Sequence, residues 1–338
     1  ILISIKGLHN GKKVVNDSKI KWVYSSKLHF ALLTLAILFI LFLRIIPYIG
    51  NSIPLGYDTG LYKYGIEHGL ENLDYWILQG GMEPGFLYLM KSISLIFSTQ
   101  TILTWLLVFF CLLLGLSIWF FTREYFDRET ALISLLIYAV SLIQFKTFWY
   151  MYYKNIIGLS LALCAFVFLK WSHTKSKWYR DLFIISAGFL GAIHRPTFYI
   201  FGLSYLFYAF ISPYQDKKYN FKYLKFHIIN GIFIIILSSL FYLGKFKPAL
   251  FILFDVSQGF LQAGESPGTF INFFTYQFST LPYLLLGVLG FLFLARKKEQ
   301  PKNLLVRAFL LKFIYPATLA ERQSPVGIAL CSQSFEPE

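Results

Sequence analysis

The chain has 338 residues, of which 57% are hydrophobic, 20% are aromatic and only 14% are charged. Ordinary soluble domains contain about 25% charged residues, so this composition excludes that class. The formal net charge is +14 at pH 7, but the basic residues lie in short loops between apolar runs. That pattern is typical of membrane topology and of contact with anionic lipid headgroups, so we expect membrane lipids and no nucleic acid as partners.

Apolar runs long enough to cross a bilayer recur along the chain, since crossing takes roughly 17 to 25 residues. Because lipid leaves unpaired backbone groups unsatisfied, these runs are predicted to be helices. We therefore predict an all-α polytopic membrane protein with about eight transmembrane helices and juxtamembrane helices in its first outer loop. The predicted spans are residues 28–46, 101–122, 130–145, 155–170, 182–193, 197–211, 226–243 and 281–295.

A basic arm, residues 1–27, precedes the first predicted span. This arm and the four later basic loops all fall on one side if every span crosses once, and the positive-inside rule makes that side the cytoplasm. The pattern predicts a multi-pass protein of the cell (plasma) membrane with a cytoplasmic N-terminus. The outer loops are then residues 47–100 and 244–280.

Asp58 follows the first span, in the stretch "GYDTGLYKYGI". One interpretation is a helix N-cap, whose carboxylate accepts backbone N–H bonds. The other is a half-desolvated carboxylate positioned as a general base. Both fit the sequence, and one residue can do both.

Glu83 lies further along the same outer loop, in "GGMEPGF". It is interpreted either as an acid at the start of the following helix, favoured by the helix dipole, or as a second carboxylate facing the same cavity as Asp58. The next segment, residues 86–97, is apolar but short and contains Lys91. We predict an amphipathic helix in the outer interface, with Pro84 in its first turn.

Two cations follow on the outer side. Lys154, in "MYYKNIIG", begins the fourth predicted span; its ammonium either snorkels to the interface or binds an anionic headgroup or lipid phosphate. Arg195, in "GAIHRPTF", joins two short spans, and a charge at membrane depth marks a site by default. A guanidinium binds phosphate bidentately, whereas an ordinary exposed turn residue is the alternative. His194 is either a second donor to that anion or a structural residue.

The loop 244–280 is rich in Gly, Ser, Pro and Gln and contains Asp255 and Glu265. Long loops of this kind are usually functional or disordered, and we predict a substrate-facing loop. Residues 296–338 are interpreted as a cytoplasmic loop and a truncated or aberrant tail. The three cysteines lie far apart in sequence and predict neither a disulfide framework nor a metal site.

Three stretches carry a resemblance to a known family: "GYDTGLYKYGI", "EPGFLYLMKSISLIF" and the succession of helices and turns over residues 112–171. Together they resemble the GT-C superfamily of polyprenyl-phosphate-sugar-dependent glycosyltransferases, especially its protein O-mannosyltransferase-like branch. The resemblance covers about residues 28–295, which are predicted to form one GT-C-like transmembrane module.

The resemblance implies transfer of a sugar, with inversion, from a polyprenyl-phosphate donor to a hydroxyl of a glycan, lipid or protein acceptor on the extracytoplasmic face. Asp58 matches the family's general base, and Glu83, which stands where many relatives have His, is the second catalytic candidate. The predicted substrate-binding residues are Tyr62, Lys154, His194, Arg195 and Glu265. No cofactor and no metal ligand are predicted, and use of a divalent cation is left open.

Two other functions compete with this one. "EPGF" also resembles EpsG-like exopolysaccharide polymerases, which predicts a polymerase or ligase acting on a lipid pyrophosphate. A transporter or flippase is the third possibility, but it requires polar residues through the middle of the bundle, and the predicted spans contain few.

Overall fold

A computed structural model describes residues 26–50, 56, 59–74, 82–149, 151–215 and 221–245. Within these ranges the regular structure is helical, without strands. The helices are α1 (Ser26–Ile45), α2 (Thr59–His68), α3 (Pro84–Ser94), α4 (Thr99–Tyr125), α5 (Arg128–Val140), α6 (Leu142–Trp149), α7 (Tyr153–Thr174), α8 (Trp178–Ile193), α9 (Arg195–Gln215) and α10 (Phe221–Leu240).

Four of the described helices are long and apolar enough to cross a membrane: α1, α4, α7 and α10. The prediction of an all-α membrane fold is therefore confirmed. The short apolar segment after Glu83 forms α3, with Pro84 at its start as predicted. The eighth predicted span, residues 281–295, lies outside the described residues, as do residues 1–25, the loop from residue 246 onward and the tail.

The third predicted span, residues 130–145, is divided into two helices. Helix α5 ends at Val140, and Ser141 has extended backbone angles. The Ser141 hydroxyl oxygen accepts a hydrogen bond from the backbone N–H of Gln144 at 3.4 Å, so it caps the start of α6 as serine commonly does. The apolar run continues across this break, which is why hydrophobicity alone predicts a single span.

Small residues bring three helix ends together at one end of the bundle. A Cβ added to Gly85, in the first turn of α3, would lie 2.5 Å from the Cβ of Ala192 near the end of α8. A Cβ on Gly158 of α7 would lie 2.9 Å from the Cβ of His194. Only glycine permits these approaches. We call this region, where α3 and α7 begin and α8 meets α9, the Glu83 end of the bundle.

Candidate functional site

Glu83 immediately precedes α3 and is 2% exposed. Its backbone carbonyl accepts hydrogen bonds from the N–H groups of Phe86 and Leu87 at 3.1 and 3.2 Å, so its main chain begins the helix. Its side chain makes no capping hydrogen bond to α3. The carboxylate is used elsewhere, against α7 and α9.

Two cations from distant parts of the sequence meet this carboxylate. The Lys154 ammonium, in the first turn of α7, donates to Glu83 Oε2 at 2.9 Å. Arg195, the first residue of α9, donates to Glu83 Oε1 from its backbone N–H at 3.2 Å and from Nε at 3.4 Å. The Lys154 and Arg195 side chains are only 14% and 16% exposed. The cluster is a nearly dry ion-pair network that joins three helices.

Burial raises the pKa of the Glu83 carboxyl, but the Lys154 ammonium and the Arg195 guanidinium lower that pKa by more. The net pKa therefore lies below the ordinary value of a glutamate, and the group is ionised at neutral pH. A buried ion pair of this kind costs desolvation and is stable only with good hydrogen-bond geometry. Both Glu83 oxygens have that geometry.

His194 forms the extended link between α8 and α9 and is 8% exposed. Its Nδ1 lies 2.6 Å from the Thr197 hydroxyl oxygen. Burial lowers the pKa of His194 to about 4; Glu83 opposes this effect, while Lys154 and Arg195 add to it. The imidazole is therefore neutral at pH 7 and adds no charge to the cluster.

The cluster of Glu83, Lys154, His194 and Arg195 carries two positive charges and one negative charge at neutral pH. Arg195 Nη1 is buried and has no hydrogen-bond partner among the described residues. A buried donor without a partner costs free energy, which a bound acceptor recovers. The arrangement therefore suits an anion, and a guanidinium is well matched to phosphate oxygens.

Tyr62 of α2 is 3% exposed and packs against two aromatic rings, Phe86 of α3 at 5.3 Å and Tyr153 of α7 at 6.2 Å between ring centroids. These contacts hold α2 against the helix starts that carry Glu83 and Lys154. Tyr62 therefore lies beside the charged cluster as a packing residue, and its predicted role in substrate binding stays a prediction.

Tyr242, which follows α10, lies close to the cluster and was not predicted from the sequence. Its hydroxyl donates to the carbonyl of Gly191 at 3.4 Å. Burial raises the pKa of Tyr242, Glu83 raises it further, and Arg195 lowers it. In the sequence Tyr242 is one of many aromatics near a span end, so the pattern contained no signal that distinguished it.

Met151, in the turn between α6 and α7, is fully buried and has a positive φ of 60°. A residue with a long side chain is uncommon in this conformation, and such strain clusters at functional sites. The Thr59 hydroxyl lies 3.3 Å from Met151 Sδ, and a Cβ on Gly56 would lie 2.8 Å from Met151 Cβ. The described residues on either side of positions 57–58 thus both contact the turn that leads into Lys154.

The structure brings together four of the predicted site residues: Glu83, Lys154, His194 and Arg195. Asp58 and Glu265 lie outside the described residues. In the part of the chain that the structure describes, no group of three or more His, Cys, Asp or Glu side chains is placed to hold a metal ion.

Comparison with known proteins finds a family model that matches part of the chain and solved structures of similar fold. A family model described as dolichyl-phosphate-mannose-protein mannosyltransferase matches residues 82–242, which include all four residues of the cluster. The crystal structure of the Archaeoglobus fulgidus oligosaccharyltransferase in its apo form aligns with 92% of this chain, with a TM-score of 0.50 and 15% sequence identity. The chain spans 41% of that protein's length, and the likeness shows a shared fold. No curated protein matches the chain.

Proposed function

We propose that the chain is a GT-C superfamily glycosyltransferase that transfers a sugar from a polyprenyl-phosphate-linked donor to an acceptor hydroxyl. The family match over residues 82–242 and the shared fold support this proposal. The GT-C resemblance predicted from the sequence is confirmed. The observation that carries the finer proposal is the buried carboxylate of Glu83 holding Lys154 and Arg195 at one end of the bundle. We place this end on the extracytoplasmic face of the cell membrane, where the basic loops predict it.

The proposed reaction is a single displacement at the anomeric carbon. The acceptor oxygen forms a bond to that carbon, the bond from the carbon to the phosphate oxygen breaks with its electron pair, and the configuration is inverted. The acceptor proton passes to a carboxylate. Negative charge grows on the leaving lipid phosphate, and preorganised cations in a dry site stabilise such charge strongly.

Arg195 and Lys154 are the cations proposed to receive the lipid phosphate. Arg195 Nη1, buried and without a partner among the described residues, supplies a donor that Glu83 does not use. The backbone N–H of Arg195, at the start of α9, already donates to Glu83, so the anion that this helix start favours is the carboxylate. The neutral His194 imidazole adds a hydrogen-bonding group without further charge.

Asp58 is proposed as the general base, because an alcohol is a poor nucleophile until its proton is removed. Its described chain neighbours, Gly56 and Thr59, both contact Met151. Met151 lies three positions before Lys154, so Gly56 and Thr59 lie close to the helix start that carries the proposed phosphate-binding lysine. The glycan, lipid or protein nature of the acceptor stays a prediction, as does a substrate role for Glu265.

For Glu83 the geometry supports a positioning role better than proton transfer. Both of its oxygens accept hydrogen bonds from cations, and these cations keep its pKa below the ordinary value. A carboxylate in that state is a weak base and is not an acid at neutral pH. Its proposed task is to hold Lys154 and Arg195 at the spacing that a phosphate requires.

The test is sugar transfer in proteoliposomes from a panel of polyprenyl-phosphate sugars, comparing the unaltered protein with Asp58→Asn and Glu71→Gln. Glu71 is an exposed acid of the same loop and serves as the matched control. We expect transfer to be lost in Asp58→Asn alone. Full activity in Asp58→Asn would overturn the base assignment, and transfer only from pyrophosphate-linked oligosaccharides would favour the polymerase alternative.

A further inference from the structure

A second feature of the Glu83 end is a cleft of about 430 Å³ between the end of α1 and the start of α4. Its volume lies in the range of small-molecule sites, roughly 300 to 1,000 Å³. Tyr48 and Trp105 form two of its walls, with ring centroids 6.3 Å apart and ring planes inclined at 52°. The two aromatic rings therefore make an angled apolar corner.

Hydroxyl groups line the rest of the cleft, together with Gln100 and Gly50. The Thr104 hydroxyl donates to the Gln100 carbonyl at 2.8 Å, which leaves its oxygen able to accept from a ligand. The Ser98 oxygen accepts from the backbone N–H of Thr101 at 3.2 Å and lies 2.9 Å from the Thr101 hydroxyl. These contacts fix the hydroxyls in place before any ligand arrives.

The helix itself is adapted at this cleft. Residues Ile102–Leu106 form a π-helical turn, which carries both Thr104 and Trp105. Such turns are rare within α-helices and occur frequently at functional sites, because the wider turn changes the direction of the side chains that follow. Trp105 is 50% exposed, so the described helices leave part of its ring open to the cleft.

We propose that this cleft binds a neutral saccharide, distinct from the lipid phosphate assigned to the Glu83 cluster. A pyranose ring has an apolar C–H face that packs on aromatic rings and a rim of hydroxyls that both donate and accept, and the cleft offers partners for both. Among the described lining residues none is charged, whereas a site for phosphate or an anionic headgroup uses Arg or Lys. The chemistry therefore favours an uncharged sugar over a lipid headgroup.

Tyr153 connects the helical turn beside the cleft to the charged cluster. The Tyr153 hydroxyl donates to the carbonyl of Ile102, the first residue of the π-helical turn, at 2.9 Å. The next residue along the chain is Lys154, which pairs with Glu83. A saccharide in the cleft would thus lie at the same end of the bundle as the proposed reaction, where it suits an acceptor glycan.

Binding to an array of neutral, acidic and phosphorylated oligosaccharides, by the whole protein in detergent micelles, tests the proposal. Trp105→Ala removes the aromatic wall, and Trp178→Ala is its control, since Trp178 is 54% exposed at the start of α8. Thr104→Val removes a cleft hydroxyl. Thr174→Val is the control for that variant, because Thr174 makes the same bond to the carbonyl four residues earlier, at 3.0 Å.

We expect the unaltered protein and Trp178→Ala to bind at least one neutral glycan, with affinity about tenfold lower in Trp105→Ala. Thr104→Val is expected to bind more weakly than Thr174→Val, and it decides the question if Trp105→Ala does not fold. Binding is measured without any sugar donor, so the failure of this proposal is separate from the failure of sugar transfer; only the interpretation of the saccharide as an acceptor rests on the proposed function. The proposal would be overturned if the protein bound no neutral glycan, or if it bound only charged glycans. It would also be overturned if Trp105→Ala and Thr104→Val both bound as well as the unaltered protein.

Discussion

The ammonium nitrogen of Lys154 lies 2.9 Å from Glu83 Oε2, although the two residues are 71 positions apart in the chain. The glutamate side chain is 2% exposed and the lysine side chain 14%, so water screens the pair poorly. Gly85 lets α3 approach α8, and Gly158 lets α7 approach His194, so both helix starts lie close to the α8–α9 link. The pair therefore depends on the packing of the bundle and in turn holds α3 against α7.

Glu83→Gln should destabilise the protein and abolish sugar transfer. The amide leaves Lys154 and Arg195 without their counter-ion in a buried site, and removal of one member of such a network costs roughly 3 kcal/mol or more. Thermal unfolding in detergent measures the first effect, and transfer in proteoliposomes the second.

Glu124→Gln is the control for this variant. It breaks the ion pair between Glu124 and Lys170, in which the charged atoms are 3.7 Å apart and the side chains are 22% and 31% exposed, respectively. Ion pairs this exposed contribute about 1 kcal/mol or less to stability. A double variant, Glu83→Gln with Lys154→Met, should recover part of the lost stability but not transfer. Equal losses of stability in Glu83→Gln and Glu124→Gln would contradict a special role for the buried network.

Arg195→Lys tests the spare guanidinium nitrogen. Lysine keeps the positive charge beside Glu83 but lacks the planar fork that binds two phosphate oxygens. We expect the rate of transfer to fall about tenfold or more, while the unfolding temperature changes by a few degrees at most. Rates measured over a series of donor concentrations should show whether KM, kcat or both account for the loss. An unaltered rate would show that Arg195 supports only the ion-pair network.

The helices were predictable from the sequence, whereas their joining at the charged cluster was not. Apolar runs predict spans because lipid-exposed backbone must pair within the segment, and α1, α4, α7 and α10 follow that logic. Lys154 and Glu83 each had a local explanation, snorkelling for the lysine and a helix start for the glutamate. Their pairing, and that of Arg195, 112 residues from Glu83, depends on which helices pack together.

The break at Ser141 shows the same limit on a smaller scale. Hydrophobicity continues from α5 into α6, so the period of the sequence contains no interruption there. At the interruption the Ser141 hydroxyl oxygen accepts a hydrogen bond from the backbone N–H of Gln144, which is an alternative that serine offers to a continuous helix. Arg195 could still be selected from the sequence as a candidate, because a charge within an apolar stretch is unusual whatever its partners are.

The unfolding temperature should fall as the pH is lowered from about 6.5 to about 4, partly because of His194. Burial lowers the pKa of this residue from 6.5 to about 4, so in that window the unfolded state binds the proton more readily than the folded state. Stability from this group is therefore complete above pH 6.5 and decreases as the pH falls. The pKa of Glu83 is also lower in the folded protein than its ordinary value of 4.5. Its protonation therefore reduces stability further as the pH falls below about 4.5.

His194→Asn isolates the histidine, because an amide can replace the hydrogen bond to Thr197 without titrating. The curve of unfolding temperature against pH should be shallower for this variant between pH 4 and 6.5. His68→Gln, at a half-exposed histidine, is the control for replacing a histidine with an amide. If the His194→Asn curve coincides with that of the unaltered protein, His194 is not held neutral by burial.

Gly85→Ala should separate Glu83 from Arg195 without altering either residue. The added methyl group would lie 2.5 Å from the Cβ of Ala192 and 2.7 Å from its carbonyl oxygen, so α3 and the end of α8 must move apart. We expect lower thermal stability and a large loss of transfer. Gly202→Ala, where nothing lies within 4 Å in the middle of α9, should instead be neutral or stabilise the helix by up to about 1 kcal/mol.

Ala192→Gly combined with Gly85→Ala removes the closest methyl contact but leaves the contact with the Ala192 backbone. Recovery of transfer in the double variant should therefore be partial. Higher transfer in the double variant than in Gly85→Ala would show that the clash with the Ala192 methyl group causes the loss. If Gly85→Ala were as active and as stable as Gly202→Ala, the close approach of α3 to α8 would not be what positions Glu83. The charged cluster would then owe its geometry to the ion pairs themselves, which the double variant at Glu83 and Lys154 examines independently.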